Sequence, residues 1–298
     1  MKQLPLFGMF DQHDEKIINV ASVTHRSPFR YPGGKTWLVP RIKTWLKSLD
    51  NKPVEFIESF AGGGIVGLTV AFEGLAQHVT LVELDKQVAA VWQTIIENGE
   101  GPWLADRIRF FDLTPENVDE LLLKIDVPLR ELAFQTIVKN RINRGGILAH
   151  GAGRIKYGEN GRGIASRWYP ETLRKRILDI THIREKLTFI HGDGLRVIRD
   201  YSTRPDVVFF VDPPYTASDK KPGSRLYEHS EIDHEALFDL LANVEGDFLM
   251  TYDNNRQIRK LARDHNFDLE VVAMKNTHHA KLSELLIGKN LTWLRFGR

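Results

Sequence analysis

Short apolar runs that alternate with helical patterns most restrict how this 298-residue chain can fold. The runs are rich in β-branched and aromatic residues and are bounded by turns, as in parallel strands buried on both faces. Five such runs lie at residues 54–59, 78–83, 187–191, 206–211 and 247–252. Helical patterns lie at residues 65–76, 86–97, 233–244 and 255–265. This alternation predicts a doubly wound α/β sheet.

Three further apolar runs near the C-terminus follow one another without helices between them. They lie at residues 269–274, 283–288 and 291–296. Strands joined by short connections pair antiparallel, because a parallel pair needs a long crossover. We therefore predict a mostly parallel sheet that ends in an antiparallel C-terminal edge.

The composition excludes several classes of protein. The chain has no cysteine, which excludes disulfides, Cys-ligated zinc, iron–sulfur clusters and thiol catalysis. No apolar run approaches the roughly 18–20 residues of a membrane span, and the first 20 residues lack the apolar stretch of a secretory signal. We therefore predict a cytoplasmic protein.

A basic, glycine-rich segment interrupts the alternation between residues 83 and 187, a gap far longer than a crossover requires. Residues 139–186 carry twelve Lys or Arg and four Asp or Glu. Residues 145–163 contain seven glycines, too many for a stable helix or strand. Charge concentrated in this way indicates a polyanionic partner, although a solvated basic surface is the alternative.

A glycine turn after the first predicted strand indicates a nucleoside ligand. Gly62, Gly64 and Gly67 match the pattern G-x-G-x-x-G, and Glu83 ends the next strand, 21 residues after Gly62. Glycines let the backbone approach a ligand closely, and an acid at this position accepts hydrogen bonds from ribose hydroxyls. NAD and S-adenosylmethionine both carry such a ribose, so the turn alone leaves both cofactors open.

The tetrapeptide Asp-Pro-Pro-Tyr at residues 212–215 follows directly after the apolar run at 206–211. Open α/β sheets bind ligands at the carboxyl ends of their strands. Two consecutive prolines stop the strand and remove two N–H donors, leaving carbonyls beside a carboxylate and an aromatic ring. Such acceptors suit a planar ring with an amino group, whose two N–H bonds need two partners. A turn capped by Asp212 is the structural alternative.

Three segments in order resemble the Dam-like D12 class of N6-adenine DNA methyltransferases: FRYPGGK at 29–35, FAGGG at 60–64 and DPPY at 212–215. The resemblance implies a Rossmann-like methyltransferase sheet, S-adenosylmethionine as the cofactor and double-stranded DNA as the partner. It further implies that the target adenine is flipped out of the duplex before its N6 is methylated. The family's reaction requires no metal.

The resemblance also implies roles for individual residues. Asp212 and the Pro213 carbonyl hold the adenine amino group by its two hydrogens, and Tyr215 stacks on the ring; Pro214 completes the catalytic motif. The two acceptors localise the nitrogen lone pair toward the methyl group, and Asp212 stabilises the positive charge that develops on nitrogen. The implied cofactor-binding residues are Tyr31, Lys35, Phe60, Ala61, Gly62, Gly64, Glu83, Asp193 and Asp212.

The basic segment corresponds to the family's target-recognition region. We predict a tail at residues 1–24, a catalytic domain formed by residues 25–110 and 187–298, and an inserted target-recognition region at residues 111–186. Arginine, lysine and asparagine contact phosphates and base edges. The candidate DNA-binding residues are Arg141, Asn143, Arg144, Arg154 and Arg162. The polar loop at 216–230 is a candidate to close over the flipped base.

Several alternatives remain open. An NAD-dependent oxidoreductase would use the glycine turn but would explain neither the DPPY motif nor the basic segment. A catalytically disabled DNA-binding protein is suggested only by Ser59, where the family usually has Pro, and a methyltransferase acting on RNA would use the same acceptors. Finally, QLPLF at 3–7 resembles peptides that dock bacterial proteins on the replication sliding clamp; a tail packed on its own domain is the alternative.

Overall fold

The computed structural model describes residues 20–31, 33–214, 232–275 and 281–296. The strands are β1 Glu55–Glu58, β2 His78–Glu83, β3 Leu187–His191, β4 Val207–Val211, β5 Asp247–Asp253, β6 Asp268–Lys275 and β7 Lys281–Gly288. The α-helices are α1 Val39–Ser48, α2 Ile65–Phe72, α3 Lys86–Trp92, α4 Gly101–Arg109, α5 Pro115–Leu123, α6 Leu129–Ile142, α7 Pro170–His182, α8 Gly194–Asp200, α9 His234–Ala242, α10 Arg256–Asp264 and α11 Thr292–Phe296. Within these ranges no helix combines the length and the apolar character that crossing a membrane requires.

The described strands form a seven-stranded sheet in the order β3-β2-β1-β4-β5-β7-β6. Neighbouring strands are parallel from β3 to β5, and β7 pairs antiparallel with both β5 and β6. The predicted α/β sheet, mostly parallel with an antiparallel C-terminal edge, is therefore confirmed. The chain leaves β1 toward β2 on one side, and β4 lies on the other side. This reversal puts a ligand-binding crevice at the carboxyl ends of β1 and β4.

The prediction of a strand at residues 291–296 is wrong, because this segment contains the helix α11. The side chain of Asn290 accepts a hydrogen bond from the backbone N–H of Thr292 at 2.8 Å, which caps the start of the helix. A six-residue apolar run fits either a strand or a buried helix, and here the preceding asparagine favours the helix.

Alternate residues of the central strands pack on opposite faces of the sheet. Phe56 of β1 and Phe210 of β4 belong to one apolar cluster, whereas Ile57 and Phe209 belong to the other. The first face is covered by α1 to α7, and the second by α8, α9 and α10. The sheet is thus buried on both sides, which explains why its strands are continuous apolar runs.

The region between β2 and β3 does not form a core of its own. Phe134 and Ile137 of α6 and Ile177 of α7 lie in the same apolar cluster as Phe56 of β1. The glycine-rich stretch at 145–163 contains only short 3₁₀ turns and one isolated bridge, between Asn143 and Arg154. The helices of 111–186 therefore extend the main core, and the division of the chain at residues 111 and 186 stays a prediction.

Candidate functional site

A cavity of about 1140 Å³ opens at the carboxyl ends of β1, β2, β3 and β4. Its wall includes the glycine turn after β1 and Glu83, the last residue of β2. It also includes Asp193 after β3 and the DPP segment at 212–214 after β4. These are four parts of the sequence separated by up to 150 residues. The predicted cofactor-binding residues that line it are Tyr31, Lys35, Phe60, Ala61, Gly62, Gly64, Glu83, Asp193 and Asp212.

The glycine turn between β1 and α2 is shaped by close contacts that only glycine allows. Gly62 has φ +48° and Gly64 has φ +63°, and Gly64 is the N-cap of α2. A Cβ atom at Gly62 would lie 2.5 Å from the ring of Tyr31, whereas real Cβ atoms do not come that close. The indole N–H of Trp92 donates to the Gly62 carbonyl at 2.9 Å. The backbone of this turn is thus fixed from below and covered by Tyr31.

Glu83 joins the end of β2 to the glycine turn. Its Oε2 accepts from the backbone N–H of Gly62 at 2.8 Å, and its Oε1 accepts from the N–H groups of Leu84 and Asp85, each at 2.8 Å. Burial raises the pKa of the Glu83 carboxyl, and these three backbone donors act in the opposite direction. The carboxyl group is therefore held in one orientation at the wall of the cavity.

Asp193 lies at the rim of the same cavity, after β3. Its Oδ1 accepts from the backbone N–H of Leu195 at 2.9 Å, which makes it the N-cap of α8. A Cβ at the following residue, Gly194, would lie 2.2 Å from the Ser59 carbonyl oxygen. The ends of β1 and β3 are thus in close contact, and Asp193 caps a helix while facing the cavity.

Asp212 occupies the carboxyl end of β4, on the opposite wall from Glu83. Its Oδ1 accepts from the hydroxyl of Thr251 at 2.6 Å and lies 3.0 Å from the ammonium nitrogen of Lys35. The Lys35 nitrogen is also 3.5 Å from Oε2 of Glu284 and donates to the Gly33 carbonyl at 3.0 Å. Burial alone would lower the pKa of Lys35, but Asp212 and Glu284 together hold it above its usual value.

Two carboxyl groups of this wall, Glu284 and Asp253, were not found from the sequence. They are paired across the antiparallel strands β5 and β7. Burial raises the pKa of Glu284 to about 7, although Lys35 acts to lower it, and burial also raises the pKa of Asp253. The available signal was a single acid inside the apolar run SELLIG, because a lone charge in a buried strand needs a partner.

Glu58 and Ser59 lie beneath the glycine turn, at the end of β1. Oε2 of Glu58 accepts from the N–H of Gly67 at 2.6 Å, and burial raises the pKa of this carboxyl to about 8. Ser59 is 1% exposed, and its backbone N–H donates to the Phe210 carbonyl at 3.1 Å. A proline here would lack that donor, so Ser59 adds a hydrogen bond between β1 and β4.

The predicted DNA-binding residues do not converge on one surface. Arg141 is 5% exposed and donates to the Pro28 carbonyl, and Asn143 is also buried and donates to the Ile147 carbonyl at 2.8 Å. Arg144 is exposed, whereas Arg154 pairs with Asp119 at 2.6 Å. The guanidinium of Arg162 lies 5.7 Å from the ring centre of Tyr169.

Three predictions fall outside the described residues. They concern the stacking ring Tyr215, the loop at 216–230 and the peptide at residues 3–7. Pro213 and Pro214 are described, and both line the cavity next to Asp212.

Several solved methyltransferase structures are similar to this chain at low sequence identity. An rRNA methyltransferase, aviRa, from Streptomyces viridochromogenes is 12% identical, with a TM-score of 0.41, over 96% of this chain and 99% of that one. A Pyrococcus horikoshii protein provisionally described as an RNA methyltransferase is 10% identical, with a TM-score of 0.42, over 90% and 93%. Precorrin-6y C5,15-methyltransferase from Geobacter metallireducens is 10% identical, with a TM-score of 0.31, over 83% and 84%.

The family comparison is more specific. No curated protein sequence matches this chain. The model of the D12 class N6 adenine-specific DNA methyltransferase family matches residues 31–277, which is most of the chain and includes FAGGG, DPPY and the last five residues of FRYPGGK. The chain therefore belongs to the D12 class N6 adenine-specific DNA methyltransferase family, whose members use S-adenosylmethionine.

Proposed function

We propose that this protein is a site-specific DNA methyltransferase that transfers a methyl group from S-adenosylmethionine to N6 of a flipped-out adenine in duplex DNA. One observation carries the proposal: Asp212, Pro213 and Pro214 line the same cavity as the glycine turn at Gly62. Acceptors for an amino group and a nucleoside-binding turn thus share one enclosed space. A tetrapeptide buried far from that turn would have argued for a structural role instead.

The residues of the cavity fit S-adenosylmethionine. Gly62 carries no side chain, the ring of Tyr31 covers the turn, and the carboxyl group of Glu83 beside it can accept from ribose hydroxyls. Phe60 and Tyr31 add aromatic surface, and Asp193 places a carboxylate at the far rim. The bound cofactor supplies an electrophilic methyl group on sulfur.

Asp212 is the group that prepares the amine for transfer. Thr251 and Lys35 hold its Oδ1, so the carboxylate keeps one orientation without rearrangement during the reaction. Asp212 and the Pro213 carbonyl accept the two amino hydrogens of adenine, which draws the nitrogen lone pair out of the ring. As the amine gains positive charge, the fixed carboxylate stabilises it.

Asp212 lies inside a concave cavity at the carboxyl edge of the sheet, which a base stacked inside a duplex cannot enter. The target adenine must therefore leave the duplex. Extrusion costs a few kcal/mol, which contacts with the displaced strand must offset. The basic segment 139–186 supports this role by its charge. Since Arg141 and Asn143 are buried, the exposed Arg144 and Arg162 are the better candidates for direct contacts with the duplex.

The direct test is methyl transfer from labelled S-adenosylmethionine to duplex DNA that lacks methylated adenine. We expect N6-methyladenine in one sequence context, identified by mass spectrometry of nucleosides and by sequencing of the modified bases. Asp212→Ala should reduce the rate at least about 10²-fold, because a preorganised electrostatic partner is lost. Its affinity for the cofactor, measured by calorimetry, should stay close to that of the wild type.

Asp206→Ala is the matched control, since Asp206 precedes the same strand at its other end and pairs with Arg204. This variant should keep full activity. Methylation of RNA but not of DNA would favour an RNA methyltransferase. A folded protein that binds the cofactor and DNA but transfers nothing would favour the disabled alternative.

A further inference from the structure

A second cavity, of about 340 Å³, adjoins the first one. It is enclosed by residues 25–30, the C-terminal end of α6 and the N-terminal half of α7. Its basic lining consists of four arginines, Arg30, Arg141, Arg167 and Arg176, and one histidine, His25. No acidic residue lines it among the described residues. Four guanidinium groups around one space favour an anion over an apolar ligand.

The protein compensates the charges of this cavity only in part, through Glu159, which pairs with Arg167 and also attracts Arg30. Within the described part of the chain, Arg167 pairs with Glu159, but Arg30, Arg141 and Arg176 form no salt bridge. Burial, together with repulsion from Arg176 and Arg30, lowers the pKa of Arg141 to about 9. Burial also lowers the pKa of Arg30, Arg176 and His25. Arg141 is buried and Arg30 and Arg176 are partly buried, so an anion bound between these guanidinium groups would stabilise this arrangement.

Hydrogen bonds within the protein use only some of the guanidinium N–H donors that line this cavity. Arg141 donates through Nη2 to the Pro28 carbonyl, and Arg176 donates through Nη1 to the Ser27 carbonyl at 3.1 Å. These bonds fasten residues 25–30 to α6 and α7. The buried Nε of Arg141 and the buried Nη1 of Arg30 have no acceptor among the described residues. Arg141 is 5% exposed, so its remaining N–H donor faces the protein interior or a ligand and not bulk solvent.

We infer that this cavity binds a phosphate group of the DNA backbone next to the flipped nucleotide, an inference that rests on the proposed function. His25, Arg30 and Arg176 line both cavities, so the two spaces share a wall. In a nucleotide the phosphate is attached to the same sugar as the base. A base that enters the larger cavity brings its phosphate with it, and we place this phosphate at the shared wall, where guanidinium groups can bind it through paired N–H donors.

Arg30→Gln is the most informative variant. The backbone N–H and carbonyl of Arg30 are held by the side-chain amide of Asn140, at 2.8 and 2.9 Å, and this clamp does not involve the Arg30 side chain. Removing one of several repelling charges should leave the thermal unfolding temperature unchanged or raise it. A purely structural arginine would instead lower it.

The measurement is binding of a methylatable duplex by fluorescence anisotropy at several salt concentrations, with S-adenosylhomocysteine present so that no transfer occurs. We expect Arg30→Gln to bind DNA about tenfold more weakly, because a charge-assisted hydrogen bond is lost. The plot of log affinity against log salt should become shallower by about one, as for one lost phosphate contact. Arg174→Gln on α7, which pairs with Asp106 at 3.5 Å outside the cavity, should match the wild type.

An unchanged salt slope in Arg30→Gln would overturn the inference, as would a wild type that binds no DNA. A tenfold loss of affinity for S-adenosylmethionine with an unchanged DNA slope would also overturn it, and would assign the cavity to the cofactor's carboxylate. If the slope changes as expected but no adenine is methylated, the phosphate site stands and the proposed reaction fails.

Discussion

Lys35 is the residue that links the carboxylate of Asp212 to the rest of the sheet edge. Its ammonium nitrogen lies 3.0 Å from Asp212 and 3.5 Å from Glu284, so two carboxyl groups share one cation. Because burial raises the pKa of Glu284 to about 7, this group changes its charge near neutral pH. When Glu284 is protonated, Asp212 is the main partner of Lys35. When Glu284 is ionised, the two carboxylates share Lys35.

This sharing predicts a pH dependence that a single substitution removes. Below about pH 7 Glu284 is protonated and Lys35 pairs mainly with Asp212; above it, Glu284 is ionised and competes for Lys35. Asp212 then accepts more readily from the substrate amine, so we expect the single-turnover rate to rise as pH increases through about 7. Glu284→Gln should remove this rise, while Glu270→Gln on the neighbouring strand β6 should keep it. The same rise in Glu284→Gln would contradict the role of Glu284.

At the scale of elements, the parts of the site that could be predicted are those encoded locally. The turn at Gly62, the acid at Glu83 and the proline stop after Asp212 each follow directly from a strand and its flanking residues. The lone acid Glu284 stands out in its apolar run, but its contact with Lys35 could not be predicted, because that contact depends on the register between β5 and β7. Arg141 was expected at a surface since charge usually marks exposure, but a contact with Pro28, 113 residues away, buries it.

The β1–α2 turn provides the prediction at this scale. Gly62→Ala introduces strain at φ +48° and places a Cβ 2.5 Å from the Tyr31 ring, so the ring that covers the turn must move. We expect affinity for S-adenosylmethionine to fall about tenfold or more by calorimetry, since the backbone no longer admits the ligand closely. Gly74→Ala is a matched control: Gly74 has φ +61° at the end of α2, but no atom within 4 Å of the added Cβ. Equal cofactor affinity in both variants would contradict this account.

At the scale of the whole molecule, the basic region between β2 and β3 is joined to the catalytic sheet through its packing. Trp92 is fully buried at this junction: its ring lies 5.5 Å from that of Phe29, and its indole holds the Gly62 carbonyl. Helices α6 and α7 pack on α3 and α4, and their apolar residues belong to the cluster that covers one face of the sheet. Sequence length and charge could indicate an added segment, but they could not reveal that this segment shares its core with the sheet.

A shared core predicts that damage in the basic region destabilises the sheet. Ile177 of α7 is fully buried in the common cluster, so Ile177→Ala should lower the free energy of unfolding by about 2–5 kcal/mol. Because the two parts unfold together, hydrogen exchange at the β4 amides, residues 207–211, should become faster by the same free energy as exchange in α6. The exposed Lys175→Ala on the same helix should change stability by less than about 0.5 kcal/mol. If β4 kept its full protection in Ile177→Ala while α6 lost its own, the helices would be a separate folding unit, and the predicted division of the chain at residue 111 would be correct after all.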